Sequence, residues 1–271
     1  MRCPSPAHFY FKKLLGGRLT VGQQTLDLFI QVRILASQLI KLGLITRTKL
    51  ELFEQNMKLF LTSAGLSNKT LVGAFNDLVG LPNEKIHIAF IPTAANVEPG
   101  DKDWLIGDYA NLKKQNYIVD IVDISALPKE VWLPRIKEAN VIFVGGGNTF
   151  HLMHWFEKSG LKDLLPELIK TRVYAGISAG SCIAGPTIYN SVQNLFGEKY
   201  DLEIKEGMNL INLQIIPHLN SPYFTKIREE NLEKASKDLS EPVYAIDDNS
   251  AVIVNGNEIE VVSEGKWKKF N

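Results

Sequence analysis

Gly176-Ile177-Ser178-Ala179-Gly180 sets a serine between two glycines, after a strand-like run and ahead of a small-residue stretch of helical character. A serine on so sharp a strand-to-helix turn stands clear of the backbone, and only small neighbours permit the bend. Its hydroxyl is a candidate nucleophile. The next residue, Ala179, is the natural source of one backbone N–H for a developing oxyanion, and a helix opening there adds favourable dipole potential. The five-residue pattern by itself also fits a plain glycine turn, so the case depends on what else reaches the same place.

A serine hydroxyl is scarcely nucleophilic at neutral pH; it needs a base, and the base needs a partner that fixes its tautomer and steadies its charged form. Of five histidines, His218 in Ile215-Ile216-Pro217-His218-Leu219-Asn220 lies just past a strand, where it can serve as base or as an ordinary loop residue. His8 falls in an irregular leader and His87 inside a strand. His151 and His154 share a helix face, yet no third ligand lies near in sequence, so packing is the expected role and no metal is called for. An acid is available in Ala245-Ile246-Asp247-Asp248-Asn249, at the end of another strand, with both carboxylates open to the role. Gly145-Gly146-Gly147-Asn148-Thr149 follows a strand and precedes a helix. Its bare amides suit an oxyanion hole or a phosphate cradle. It lacks the lysine of a P-loop and the spaced glycines of a dinucleotide turn, which counts against a nucleotide.

These groups must be positioned by the elements that carry them. Short runs rich in β-branched and aromatic residues recur from Met57 onward, with helical stretches between, the mark of parallel strands covered on both faces. Strands are expected at 59–62, 86–92, 118–124, 141–144, 173–177, 213–216, 243–246, 251–254 and 259–262. Helices are expected at 71–79, 104–115, 149–158, 161–171 and 221–239, and Asn255-Gly256-Asn257 reads as the turn of a closing hairpin. The fold class is therefore α/β, a mostly parallel sheet with helices on both faces. In such a sheet reactive groups gather at the carboxyl ends of strands, and Ser178, the glycine run, His218 and the Asp pair all sit there.

Thirty basic residues balance thirty acidic ones, with 45% hydrophobic and 22% charged residues. That evenness excludes a global field drawing in nucleic acid or an anionic membrane. Cys3 and Cys182 give neither a disulfide framework nor a metal site, consistent with a reducing, cytoplasmic setting. Residues 1–56 differ in character, with eight Lys or Arg against three Asp or Glu. Their apolar run at 26–45 is interrupted by polar residues and is a poor membrane span. They read as an N-terminal appendage of uncertain structure, with 57–271 as the catalytic domain and Met57 as an admissible natural start.

The four stretches VGGGNTFHL, YAGISAGSCIAGPT, QIIPHLN and YAIDDNSAVIV, in that order, resemble the peptidase E family of serine peptidases (aspartyl dipeptidases), relatives of the cyanophycinases. The resemblance runs from about Met57 to Val262. It implies a class I glutamine amidotransferase-like fold, Ser178 as nucleophile, His218 as base, and an oxyanion hole from Gly146, Gly147 and Ala179, with no cofactor. It places the triad acid on Asp248, where the family typically carries Glu, one methylene longer, and Asp247 stands beside it as a rival. It implies hydrolysis of peptide bonds in small peptides, including dipeptides with N-terminal Asp, whose carboxylate a basic side chain such as Arg228 could receive. The alternatives are another acyl hydrolase, acting on cyanophycin-like peptides or esters, and a non-catalytic module binding a small ligand. A homodimer is admissible.

Overall fold

The computed structural model describes residues 57–188, 195–198, 200–201 and 204–271. The appendage expected over 1–56 lies outside the described residues. A seven-stranded sheet is built from β1 (Lys58–Thr62), β2 (His87–Ile91), β3 (Ile118–Ile121), β4 (Val141–Val144), β5 (Val173–Ile177), β8 (Ser250–Asn255) and β9 (Glu258–Ser263), in the order β3-β2-β4-β5-β1-β8-β9. The first five strands in that order run parallel, and β8 and β9 close the edge as the expected antiparallel hairpin. This is the mostly parallel α/β arrangement that the sequence pattern implies, and it agrees with the class I glutamine amidotransferase-like fold that the family resemblance implies.

The central strands are apolar throughout because both sheet faces are covered. All residues of β4 and β5 are buried. Their side chains alternate between two cores: Leu59, Leu61, Ile142, Val144 and Tyr174 enter one, and Phe60, Phe143, Ala175 and Ile177 enter the other. This is the period of two that a pleated strand imposes. Helix Lys69–Val79 shows the local logic of the covering layers. The Asn68 side chain accepts from the Leu71 N–H, Leu71, Phe75 and Leu78 face the core, and Gly80 ends the helix in the left-handed region at φ 73°.

The strands that carry the candidate base and acid belong to a second sheet. β6 (Gln214–Ile216) and β7 (Val243–Ile246) are parallel to each other, and β10 (Trp267–Phe270) runs antiparallel on β7. Ile216, Leu219, Ile227, Leu232, Val243, Ala245 and Phe270 form its separate core. The sequence pattern had suggested one sheet and did not mark β10.

One helix expectation is corrected and one helix is added. The helix expected at 221–239 is confined to Glu229–Ala235 and a 3-10 turn at Ser236–Asp238. Residues 221–228 instead form a loop whose carbonyls are held by the Arg228 side chain, an interaction that competes with helical hydrogen bonding. A further helix, Lys129–Glu138, was not expected; Pro134 inside it is a residue that usually ends helices. Among the described residues no helix is long and apolar enough to cross a membrane.

Candidate active site

β4, β5 and β1 are neighbours, so their carboxyl ends deliver Gly145–Gly147, Ser178 and Ser63 side by side. Ser178 sits at φ 48°, ψ −109°, a conformation rare for a residue with a side chain and found where surroundings force it. The forcing contacts are visible. Ser178 N–H donates to the Thr62 carbonyl at 3.1 Å, and its own carbonyl accepts from Ser181 and Cys182 N–H, both at 2.9 Å. The Ser181 hydroxyl reaches the Thr62 carbonyl at 2.7 Å, and Tyr174 Oη donates to the Gly180 carbonyl at 2.6 Å.

The flanking glycines are required by close approach of backbone to backbone. A Cβ on Gly176 would lie 2.6 Å from the Gly180 carbonyl, and one on Gly180 would lie 2.3 Å from the Val144 oxygen. The glycine run is constrained likewise. Gly147 has φ 127°, and a Cβ there would lie 2.4 Å from the Ala94 oxygen; a Cβ on Gly146 would stand 3.3 Å from Ser178 Cβ. The run thus passes directly beside the nucleophile candidate. Among the described residues no hydrogen bond takes up the N–H of Gly146, Gly147 or Ala179. Asn148 then caps helix Thr149–Ser159, its side chain accepting from His151 N–H at 3.0 Å.

From the second sheet, the turn after β6 brings His218 to the same point. Its Nε2 lies 2.9 Å from Ser178 Oγ and its Nδ1 lies 2.7 Å from Asp248 Oδ1. The two loops are joined at their base, since Leu219 N–H donates to the Ile246 carbonyl at 3.0 Å. Phe224 stacks on the His218 ring at 4.4 Å between centroids, 18° from parallel, and Phe196 meets it edge-on at 6.5 Å. These rings hold the imidazole in place and keep water from one of its faces.

The adjacent carboxylates point to different tasks. Burial by itself would push the Asp248 carboxyl up; hydrogen bonds from the His218 and Ser63 side chains, together with the His218 charge, hold it below the usual carboxylate range. Asp247 organises the turn: Oδ1 accepts from Asn249 N–H at 3.0 Å and the Ser250 hydroxyl at 2.6 Å, and Oδ2 accepts from Lys266 N–H at 2.5 Å.

Arg228 lies in the loop that follows His218. Its guanidinium donates to the carbonyls of Phe224, Ile227 and Ser221 at 3.1, 2.8 and 3.0 Å, so it braces the loop that presents Phe224 to His218. His151 and His154 lie in an aromatic cluster with Trp155 and Tyr200, the His151 Nδ1 being 3.1 Å from Tyr200 Oη. No group of three metal-ligating side chains occurs among the described residues. Ser63, Phe196 and Phe224 were not singled out from the sequence. The one available signal was Ser63's position directly after a strand, at the edge where Ser178 also lies.

The pattern of peptidase family S51 matches residues 59–262. An uncharacterized peptidase of Pasteurella multocida is 29% identical over 208 residues, spanning 76% of this chain and 96% of its own length. Peptidase E of Shewanella oneidensis is 28% identical over 197 residues, 64% of this chain and 80% of its own. The crystal structure of a protein assigned to peptidase E from Listeria monocytogenes superposes with a TM-score of 0.65 at 25% identity, covering 77% of this chain and 99% of that one.

Proposed function

Because this chain belongs to peptidase family S51, the peptidase E family, and is thereby a serine peptidase, we propose that residues 57–271 hydrolyse peptide bonds in small peptides through Ser178, His218 and Asp248. The observation that carries the reading is the continuous run of contacts from Ser178 Oγ to His218 Nε2 at 2.9 Å and from His218 Nδ1 to Asp248 Oδ1 at 2.7 Å, set beside uncommitted glycine amides.

For Nε2 to accept the Ser178 proton, Nδ1 must carry its own proton, and a carboxylate 2.7 Å away favours that tautomer. Ser178 Oγ attacks the scissile carbonyl as His218 takes its proton. The N–H groups of Gly146 or Gly147 and of Ala179 then receive the oxyanion, at a helix start that also favours negative charge. The imidazolium, steadied by Asp248, gives its proton to the leaving amine. Water, activated by the same histidine, releases the acyl group from Ser178. Every proton in this sequence is moved by the chain's own groups, so the steps call for no cofactor.

Dipeptides with N-terminal Asp are the first substrates to try, on the family resemblance. Arg228 gives three of its five guanidinium N–H groups to loop carbonyls, and the other two are open to the carboxylate of a substrate Asp. The test is a dipeptide library on parent and Ser178→Ala protein. Turnover by the parent with Asp-X preferred, and none by the variant, is expected. Parent-rate hydrolysis by Ser178→Ala would place the nucleophile elsewhere, and esters cleaved in preference to every peptide would change the substrate class.

A further inference from the structure

Ser63 is fully buried and stands where the base and the acid meet. Its Oγ accepts the backbone N–H of His218 at 2.8 Å, lies 2.6 Å from Asp248 Oδ1 and 3.2 Å from His218 Nδ1. A backbone N–H can only donate, so this contact uses a lone pair of Ser63 and leaves its single proton to be directed. Two acceptors compete for that proton, the Asp248 carboxylate and, in one tautomer of His218, the bare Nδ1.

The competition couples to the chemistry. When Nδ1 carries a proton it donates to Asp248, and the Ser63 proton also goes to Asp248. His218 N–H, Ser63 O–H, Asp248 Oδ1 and Nδ1–H then close a ring, with every donor facing an acceptor. If Ser63 gave its proton to Nδ1 instead, the histidine would carry its proton on Nε2. It would then donate toward Ser178 rather than accept, and Ser178 would have no base. The shorter contact to Asp248 and the charge of that carboxylate select the productive arrangement.

We propose that Ser63 is a positioning residue of the triad: it anchors the His218 main chain, aims the Asp248 carboxylate, and thereby holds His218 in the tautomer that can deprotonate Ser178. The inference rests on the serine-peptidase reading above. Ser63 contacts the His218–Asp248 pair and neither Ser178 nor the oxyanion amides, so its removal acts on kcat through that pair and leaves substrate binding alone.

The experiment is a double-mutant cycle of Ser63→Ala and Asp248→Asn, assayed on the best dipeptide of the library, with Ser63→Thr as the variant that keeps the hydroxyl and Ser178→Ala as the control. Ser63→Ala is expected to lower kcat by about 10- to 100-fold with KM within about twofold. That loss should shrink to within about threefold in the Asp248→Asn background, because the group it acts through is already impaired. Ser63→Thr should restore most of the rate. An equal fractional loss in both backgrounds, or a change confined to KM, would overturn the role. If Ser63→Ala fails to fold, Ser63→Cys keeps the volume with a weaker donor; parent kcat in that variant overturns the proposal and a loss that vanishes with Asp248→Asn supports it. A dead Ser178→Ala beside a fully active Ser63→Ala would remove this inference alone, whereas an active Ser178→Ala would remove the serine-peptidase reading itself.

Discussion

Replacing Gly180 by alanine tests whether the motif's glycines serve close packing or mere flexibility. Gly180 has no positive φ, so alanine is acceptable to its backbone dihedrals. The obstacle is outside: the new Cβ would stand 2.3 Å from the Val144 oxygen, 2.9 Å from the Val144 carbonyl carbon and 3.0 Å from Val144 Cβ. Ordinary contact begins near 3.4 Å. The short helix Ala179–Cys182 must therefore retreat from β4 by about 1 Å, and backbone at the centre of a buried sheet cannot yield that distance by rotating a side chain. Overpacking of this kind costs about 1–3 kcal/mol. The same retreat carries Ser178 Oγ and the Ala179 N–H with it, and a misplacement of about 1 Å in a catalytic constellation costs on the order of 100-fold in rate. Urea unfolding and steady-state kinetics on one preparation measure both numbers. The matched control is Gly73→Ala in helix Lys69–Val79, where a Cβ meets nothing within 4 Å and alanine should add about 0.5–1 kcal/mol of stability with activity unchanged. Parent stability and parent kcat in Gly180→Ala would refute the reasoning.

Asp248→Asn is expected to reduce kcat by about 10³- to 10⁴-fold, because an amide no longer favours the proton on Nδ1. Asp247→Asn should stay within about tenfold of the parent and instead lower the unfolding midpoint through its turn; kinetics showing the reverse order would transfer the acid role. Asp108, on helix Asp103–Lys114, has its carboxyl pushed up by burial from the ordinary 3.8 to about 7. The folded state thus holds this proton more tightly than the unfolded chain does, so stability is complete below about pH 4 and declines as pH rises toward 7. Full conversion at about 1.4 kcal/mol per pH unit gives about 4 kcal/mol. The side chain keeps partial contact with water, so about 2 kcal/mol is expected. Asp108→Asn should match the parent near pH 4 and exceed it by about that amount at pH 8 in denaturant melts, and a constant difference across the range would contradict the assignment.

The parts of the fold that could be read from the chain were those written in local pattern. Strands such as Val141–Val144 and Val173–Ile177 announce themselves because burial on both faces demands an unbroken apolar run. Where a tertiary contact overrides local preference, the pattern misleads. Residues 221–228 have the composition of a helix start, yet Arg228 ties up the carbonyls of Ser221, Phe224 and Ile227. Trp267–Phe270 forms a strand because β7 offers it an edge, and no period within four residues announces that edge. Pro134 inside Lys129–Glu138 is a similar case, since the prior against it is local and the packing that keeps the helix is not.

Sequence alone determined the chemical inventory: a serine on a glycine-flanked turn, a histidine and two carboxylates past apolar runs, and a glycine stretch without a lysine. Those follow from residue type and order, which fix what each group can donate, accept or crowd. The tertiary structure decided which groups meet. Two sheets, not one, bring His218 and Asp248 to Ser178; Asp247 turns away into its own loop, Arg228 donates to three loop carbonyls, and Ser63, 115 residues before Ser178 in the chain, enters the constellation. Hydrogen bonds act over about 3 Å, and distances on that scale between remote segments are set by how the sheets pack.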